Sequence, residues 1–223
     1  MAQRTDAKEK NATTLGDQIY HRLKSAIIKH EIKPKDRISE DKIAAQFNVS
    51  RTPVREAIMR LYAEGFIEST PYRSMIVKEV SLERYFQVCE SMVALDTQAC
   101  KQAIIQMSDD NLEKLKDLMC EMETLCRVET LDEYMEVNFQ IHIHVWNMLK
   151  NKFFIGLLLT ALNTMRLCHL SMLHSQFNLS SAYMEKSLKI HQKLLEKFVN
   201  KDTKGLSSLI KKHWLISRDS YSR

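Results

Sequence analysis

Three histidines have the type and placement for metal chemistry. His142, His191 and His213 each fall inside a segment of helical periodicity, and the last two flank a connection at residues 200–203. Asn138 lies four residues before His142, so both project from one helical face. Three imidazoles and one oxygen ligand from three helices form the donor set of an open first-row metal site in a bundle core, with room for water or an oxygen of a small molecule. Spacing alone is a weak signal among eight histidines; His144, His169 and His174 are read as structural or exposed. A second set lies in NVSRTPVREAIMRLYAEGFIE, residues 48–68. Arg51, Thr52 and Arg55 occupy the first turns of an expected helix, the part that a helix in the major groove of DNA presents to base edges. Lys42 and Arg60 are placed to add phosphate contacts, which position without reading sequence.

The elements that must hold these residues follow from periodicity. Leu15, Ile19, Leu23 and Ile27 predict a first amphipathic helix that stops before KPKD at 33–36. Ser39 precedes a second, with Ile43, Ala44 and Phe47 on one stripe and Asn48 as the left-handed residue that ends it. Ser50 is expected to cap the third, Pro53 sits in its first turn, Glu56 adds favourable charge near that end, and Gly65 closes it. Val54, Ala57, Ile58 and Leu61 form its buried face. FIEST and SMIVKEV, split by Pro71-Tyr72-Arg73, read as a hairpin. Residues 15–79 are thus expected to form a winged helix-turn-helix behind a disordered arm at 1–14. From 80 to 223 only amphipathic helices are predicted, at about 82–106, 109–126, 131–149, 152–174, 181–199 and 203–220. Ser108, a Thr130-x-x-Glu133 capping box, Ser180 or Ser181, and Asp202 mark starts. The fold class is mainly α, a winged helix-turn-helix followed by an antiparallel helical bundle.

Composition agrees. Of 223 residues only four are glycine and three proline, and 44% are hydrophobic, which favours helices with short connections and a sizeable core. A net charge of +5 permits a nucleic-acid partner without requiring one. Five scattered cysteines, never in a C-x-x-C pair, argue against a disulfide framework or zinc ribbon and for a reducing compartment. Cys126, beside Arg127, is the candidate for redox sensing. No run of 18 apolar residues predicts a membrane span, and the expected location is cytoplasmic, at the bacterial nucleoid. The nucleotide-binding, nucleophile-elbow and zincin motifs are missing, and methionines such as Met119, Met122, Met148, Met165 and Met172 read as adaptable core or pocket lining.

The stretch IKPKDRISEDKIAAQFNVSRTPVREAIMRLYAEGFIESTPYRSMIVKEV resembles the DNA-binding domain of GntR-family bacterial repressors. That resemblance implies that Arg51, Thr52 and Arg55 face the operator and that the wing tip at Arg73 and Ser74 approaches the minor groove; Ser50, at the start of the same helix, is a further candidate for DNA contact. The family usually has Pro-Gly where this chain has Pro34-Lys35 and a glycine where it has Ser74; a basic residue of some relatives is Asp41 here. The C-terminal half resembles the FadR-like, FCD-type subgroup. Its D-x-x-x-H, Asn, H, Asp, H pattern is matched by Asn138, His142, Asn151, His191, Asp202 and His213. By resemblance Asn138, His142, His191 and His213 are the ligands of a divalent metal of zinc, nickel or manganese type, and Asp202 caps the last helix. Asn138 stands where the family usually has aspartate, and Val88-Cys89-Glu90 stands where many relatives place an arginine for an effector carboxylate. The register Glu136 with Gln140 is the weaker alternative, because it loses the imidazole.

The reading that results is a DNA-binding transcriptional repressor, not an enzyme. It is expected to bind a pseudo-palindromic operator in double-stranded DNA as a homodimer, under control of a small-molecule metabolite effector. The rival is a metal-dependent enzyme using the three histidines, with Glu136 or Asp202 as the base.

Overall fold

The computed structural model describes residues 14–71, 74–127, 130–173 and 181–221. The chain divides into two compact units, Met1–Lys78 and Glu79–Arg223. In the first, helices α1 (Leu15–Ile28), α2 (Glu40–Phe47) and α3 (Arg51–Ala63) accompany strands β1 (Arg37–Ile38), β2 (Ile67–Ser69) and β3 (Met75–Val77). The three strands form an antiparallel sheet in the order β1-β3-β2, with Ile67 opposite Val77 and Ile38 opposite Met75. This is a winged helix-turn-helix. The expected hairpin is β2–β3; β1 adds a third strand that its two residues were too short to announce.

Thr14, expected in the arm, is instead the cap of α1: its hydroxyl accepts from the Asp17 amide while the Asp17 carboxylate accepts from the Thr14 amide. Residues 1–13 lie outside the described residues, as does Arg73. Ile19, Leu23 and Ile27 of α1 meet Val54, Ala57, Ile58 and Leu61 of α3 in a core closed by Phe66, all buried. Each of these side chains larger than alanine contributes about 1.5–3 kcal/mol when removed from water, so the outer face of α3 rests on a fixed inner one. Asn48 ends α2 in the left-handed conformation, and Gly65, at φ +80°, follows α3.

Two local expectations need correction. Ser50 occupies the cap position of α3 in an extended conformation, but its side chain makes no capping hydrogen bond. A capping side chain accepts from the amide two or three positions on, and the third residue here is Pro53, which has no N–H. The Thr130-x-x-Glu133 capping box does not form: Thr130 is not extended, and its hydroxyl donates to the carbonyls of Leu125 and Arg127.

The second unit is all helical among the described residues: α4 (Leu82–Gln106), α5 (Asp109–Thr124), α6 (Leu131–Asn147), α7 (Lys152–Leu173), α8 (Ser181–Val199) and α9 (Leu206–Tyr221). Ser81 and Ser108 cap α4 and α5 through their hydroxyls, and Asn151 Oδ1 accepts from the Phe154 amide at the start of α7. α4 packs on α6, α7 and α9, and α8 on α5 and α9. Asp202 does not cap the last helix. It lies four residues before α9, accepting from Lys197 Nζ and the Lys204 amide, while Gly205 at φ +69° leads into the helix.

Lys35 sits at φ +71°, and its amide donates to the Val77 carbonyl. The turn therefore demands the left-handed backbone for which the family's glycine is suited, and a lysine is held there at a cost of about 1–2 kcal/mol. Part of that cost is offset by lysine's smaller loss of backbone freedom on folding. Replacing Lys35 by Gly should raise the unfolding free energy by about 1 kcal/mol, and Lys35→Val should lower it; urea denaturation of the three proteins checks this.

Candidate functional site

Arg51, Thr52 and Arg55 are exposed on the first two turns of α3, opposite its buried face. Both arginines meet the start of α2. Arg51 Nε lies 2.7 Å from Asp41 Oδ1, and Arg55 reaches Glu40 through Nε and Nη2 at 3.2 and 2.9 Å. The hydrogen bond from Arg55 holds the Glu40 carboxyl below the ordinary range. These are exposed pairs, worth little to stability, and about two thirds of each arginine side chain remains open. A guanidinium has five N–H donors, so a carboxylate that takes one or two leaves the others free for an acceptor on a base or a phosphate.

Lys42 and Ser50 are also exposed. Arg60 is engaged elsewhere, paired with Asp17 and stacked 4.0 Å over the Tyr20 ring, so it joins α3 to α1. Ser74 is half-buried and avoids a positive φ. It closes the wing instead, its carbonyl accepting from the Thr70 amide at 2.8 Å and its hydroxyl 2.8 Å from that of Thr70.

In the second unit α6 contributes Asn138 and His142, α8 His191 and α9 His213, and all four are buried. One ligand atom from each histidine lies within 4.8 Å of the others. His142 Nε2 and His213 Nε2 are 2.9 Å apart. His191 uses Nδ1 on the Ser187 carbonyl, 2.9 Å away, while its Nε2 and Asn138 Oδ1 have no hydrogen-bond partner. Buried polar atoms are rarely left unsatisfied. Their convergence with imidazole nitrogens fits a bound cation, since two nitrogens bound to one ion at about 2.1 Å stand roughly 3.0 Å apart at a right angle and roughly 3.4 Å apart in a tetrahedron. Burial, reinforced by charge at His142, pushes the His191 pKa down to about 3; burial and the neighbouring histidines press His213 well below its ordinary value. Both rings are neutral at physiological pH, the state a metal ligand requires.

Sequence reasoning missed Asp96 of α4, which is fully buried. Its Oδ1 accepts from Trp146 Nε1 at 2.7 Å and its Oδ2 from Trp214 Nε1 at 2.9 Å. His142 Nδ1 lies 3.5 Å from Oδ2, and the Cys100 thiol 3.6 Å from Oδ1. Burial opposes the charge, but His142 and the indole donors outweigh it and hold the carboxyl below the usual range. The signal was present in the sequence: Met92, Asp96 and Cys100 lie four apart, a carboxylate inside an apolar stripe.

Two small cavities adjoin the histidines. One is bounded by Cys100, Met119, His142 and His191, the other by Tyr85, Asn138, Phe139, Met165 and His213. Met119 and Met165 thus line them. The remaining candidates are engaged elsewhere. Glu136, half exposed, accepts from Arg166 and from Gln140, so the alternative register does not join the cluster. His144 bonds the Asn111 carbonyl; His174 and the side chain of His169 fall outside the described residues. Burial and then Glu185 and Glu123 push the Cys126 thiol up, away from redox reactivity.

A winged helix-turn-helix followed by a helical unit with a buried histidine cluster defines a regulator-type architecture. Comparison with known proteins agrees: residues 15–77 match bacterial regulatory proteins of the gntR family, and residues 87–215 match the FCD domain. The chain belongs to the GntR family, with an FCD domain that contains the histidines. It is 26% identical over 125 residues to the Nta operon transcriptional regulator of Aminobacter aminovorans, covering 56% of this chain and 59% of that protein. It is 26% identical over 128 residues to the HTH-type transcriptional repressor RspR of Escherichia coli, covering 57% and 56%. The matches therefore span little more than half of these relatives. The structure resembles E. coli McbR/YncC with a TM-score of 0.77 at 18% identity, over 92% of this chain and 96% of that one. Among the described residues no helix is long and apolar enough to cross a membrane.

The buried groups dictate a pH response. A histidine whose folded pKa lies below its unfolded value of about 6.5 contributes stability above that pH and loses it on acidification. In the presence of chelator, the unfolding free energy should fall as pH drops from 7 towards 4, and His191→Gln should flatten the slope. Urea titrations across that range read it out.

Proposed function

We propose that this protein is a transcriptional repressor that binds a pseudo-palindromic operator as a homodimer, reading base edges with Arg51, Thr52 and Arg55. Lys42, Ser50, Ser74 and Arg73 serve the phosphate backbone and the wing. The observation that carries this reading is the exposed trio on the first turns of a helix whose opposite face is locked into the core. One recognition helix supplies limited affinity and specificity, and two-fold pairing on half-sites one helical turn apart supplies both. The exposed face of α7 supports such pairing. Phe153 is 78% and Leu157 45% exposed, with Gly156 between them to allow close approach of a second helix.

Control is assigned to the FCD domain. Asn138, His142, His191 and His213 would hold a divalent cation, and such an ion would supply a Lewis-acid centre able to polarise an oxygen of a small-molecule effector. The chain's own part is to keep the three imidazoles buried and oriented. The methionine- and aromatic-lined cavities beside them would exclude bulk water from an effector. Metal and effector act as regulators only to the extent that they bind DNA-competent and DNA-incompetent states with different affinity. The proposed setting is the cytoplasm, at the nucleoid.

Selection of bound sequences from random duplex DNA would identify the operator. Arg51→Ala and Arg55→Ala should then each lose about 1–3 kcal/mol of specific binding at fixed salt, with relaxed preference at one base position. Unchanged affinity in both variants would remove these residues from the interface. Phe153→Asp with Leu157→Asp should convert a dimer into a monomer by light scattering; a dimer that persists would move the interface elsewhere.

A further inference from the structure

The donor set that the cluster offers a metal carries no charge of its own. Asn138 brings an amide oxygen, and an imidazole ligates only through a neutral ring nitrogen. A dication held by neutral donors in a buried site still needs negative charge nearby, since an isolated charge out of water costs several kcal/mol. The only buried acidic side chain among the described residues is Asp96, at 0% exposure. It has the reciprocal problem. Its close partners are two indole N–H groups, a thiol and His142, and no lysine or arginine stands within ion-pair distance of it among the described residues.

We propose that Asp96 is the positioning and charge-balancing residue of a divalent-metal centre at Asn138, His142, His191 and His213. It orients His142 through Nδ1 and supplies the anionic charge that Asn138 does not. This rests on the reading that the cluster holds a metal.

The geometry supports both roles. With Nδ1 facing the carboxylate, His142 presents the Nε2 lone pair to the cluster, where Nε2 lies 2.9 Å from His213 Nε2. His191 follows the same rule, with Nδ1 on the Ser187 carbonyl and Nε2 unpartnered. Both oxygens of Asp96 are fixed by indoles next to ligands in sequence: Trp146 one turn beyond His142 on α6, and Trp214 beside His213 on α9. One carboxylate therefore sets the two helices that carry two of the three imidazoles. A cation on the far nitrogen of His142 would give the buried anion its counter-charge.

The test uses the full chain, stripped with chelator and titrated with Co(II), following the visible absorption of the bound ion. Wild type is expected to bind, Asp96→Asn to bind about 10- to 100-fold more weakly, and Asn138→Asp to restore affinity when added to Asp96→Asn. Wild-type affinity in folded Asp96→Asn would overturn the proposal, and failure of Asn138→Asp to restore binding would overturn its charge-balancing part. If wild type and His213→Ala alike take up no cobalt, the metal reading itself fails, a separate result. Should Asp96→Asn not fold, nitrogen-15 NMR of zinc-loaded wild type decides: a proton on His142 Nδ1 is expected, and a proton on Nε2 would contradict the orienting role.

Discussion

The helical domain depends on one buried charge. Asp96 ties α4 to α6 through Trp146 and His142, and to α9 through Trp214. A carboxylate without water is tolerated only when its lone pairs are met by donors, so these three helices cannot slide independently without stranding an anion. The histidines ride on that arrangement. His142 and His213 come within 2.9 Å because the elements carrying them are fastened to the same two oxygens. Packing of α8 on α9 and α5 then brings in His191.

The DNA-binding unit solves a different problem with ordinary hydrophobic means. Its charged residues lie on the outside, and what they need is a helix that does not move. Val54, Ala57 and Leu61 are fully buried against α1, while the Asp17–Arg60–Tyr20 contacts and the Tyr20–Lys24–Glu64 hydrogen bonds fasten the two helices at the edge of that core. Glu40 and Asp41 add a further feature. They occupy the recognition arginines while leaving other guanidinium donors open, so a base or phosphate competes with a weak exposed carboxylate pair and not with a buried one. Asp41 stands where some relatives carry a basic residue, which makes electrostatic attraction to phosphate locally smaller.

The elements that depend on local chemistry were legible in the sequence. The apolar stripe of α3, the left-handed Asn48, Gly65 and the helix starts at Ser39 and Ser108 follow from neighbours within four residues. The four buried residues of the histidine cluster were picked out by resemblance to the FCD-type pattern, spacing alone being a weak signal. What depends on tertiary context was not. The two-residue β1 has no period of its own, and Thr130 turns its hydroxyl back on the preceding loop. Lys35 accepts a backbone strain that only the sheet contact at Val77 reveals. Asp96 was the largest omission. Its indole partners lie 50 and 118 residues away in sequence, and only its place within an apolar stripe of α4 pointed to it.

Joining the two units functionally requires that the state of the histidine centre alter the affinity for DNA. The most direct measurement is the operator affinity of the full chain at fixed salt, with metal loaded and with metal removed by chelator, in parallel with His213→Ala. The account predicts a shift of about 5- to 150-fold between the two states of the wild type, the range of ordinary allosteric coupling, and no response to chelator in the variant. Superimposable binding curves for loaded and stripped wild type would contradict it.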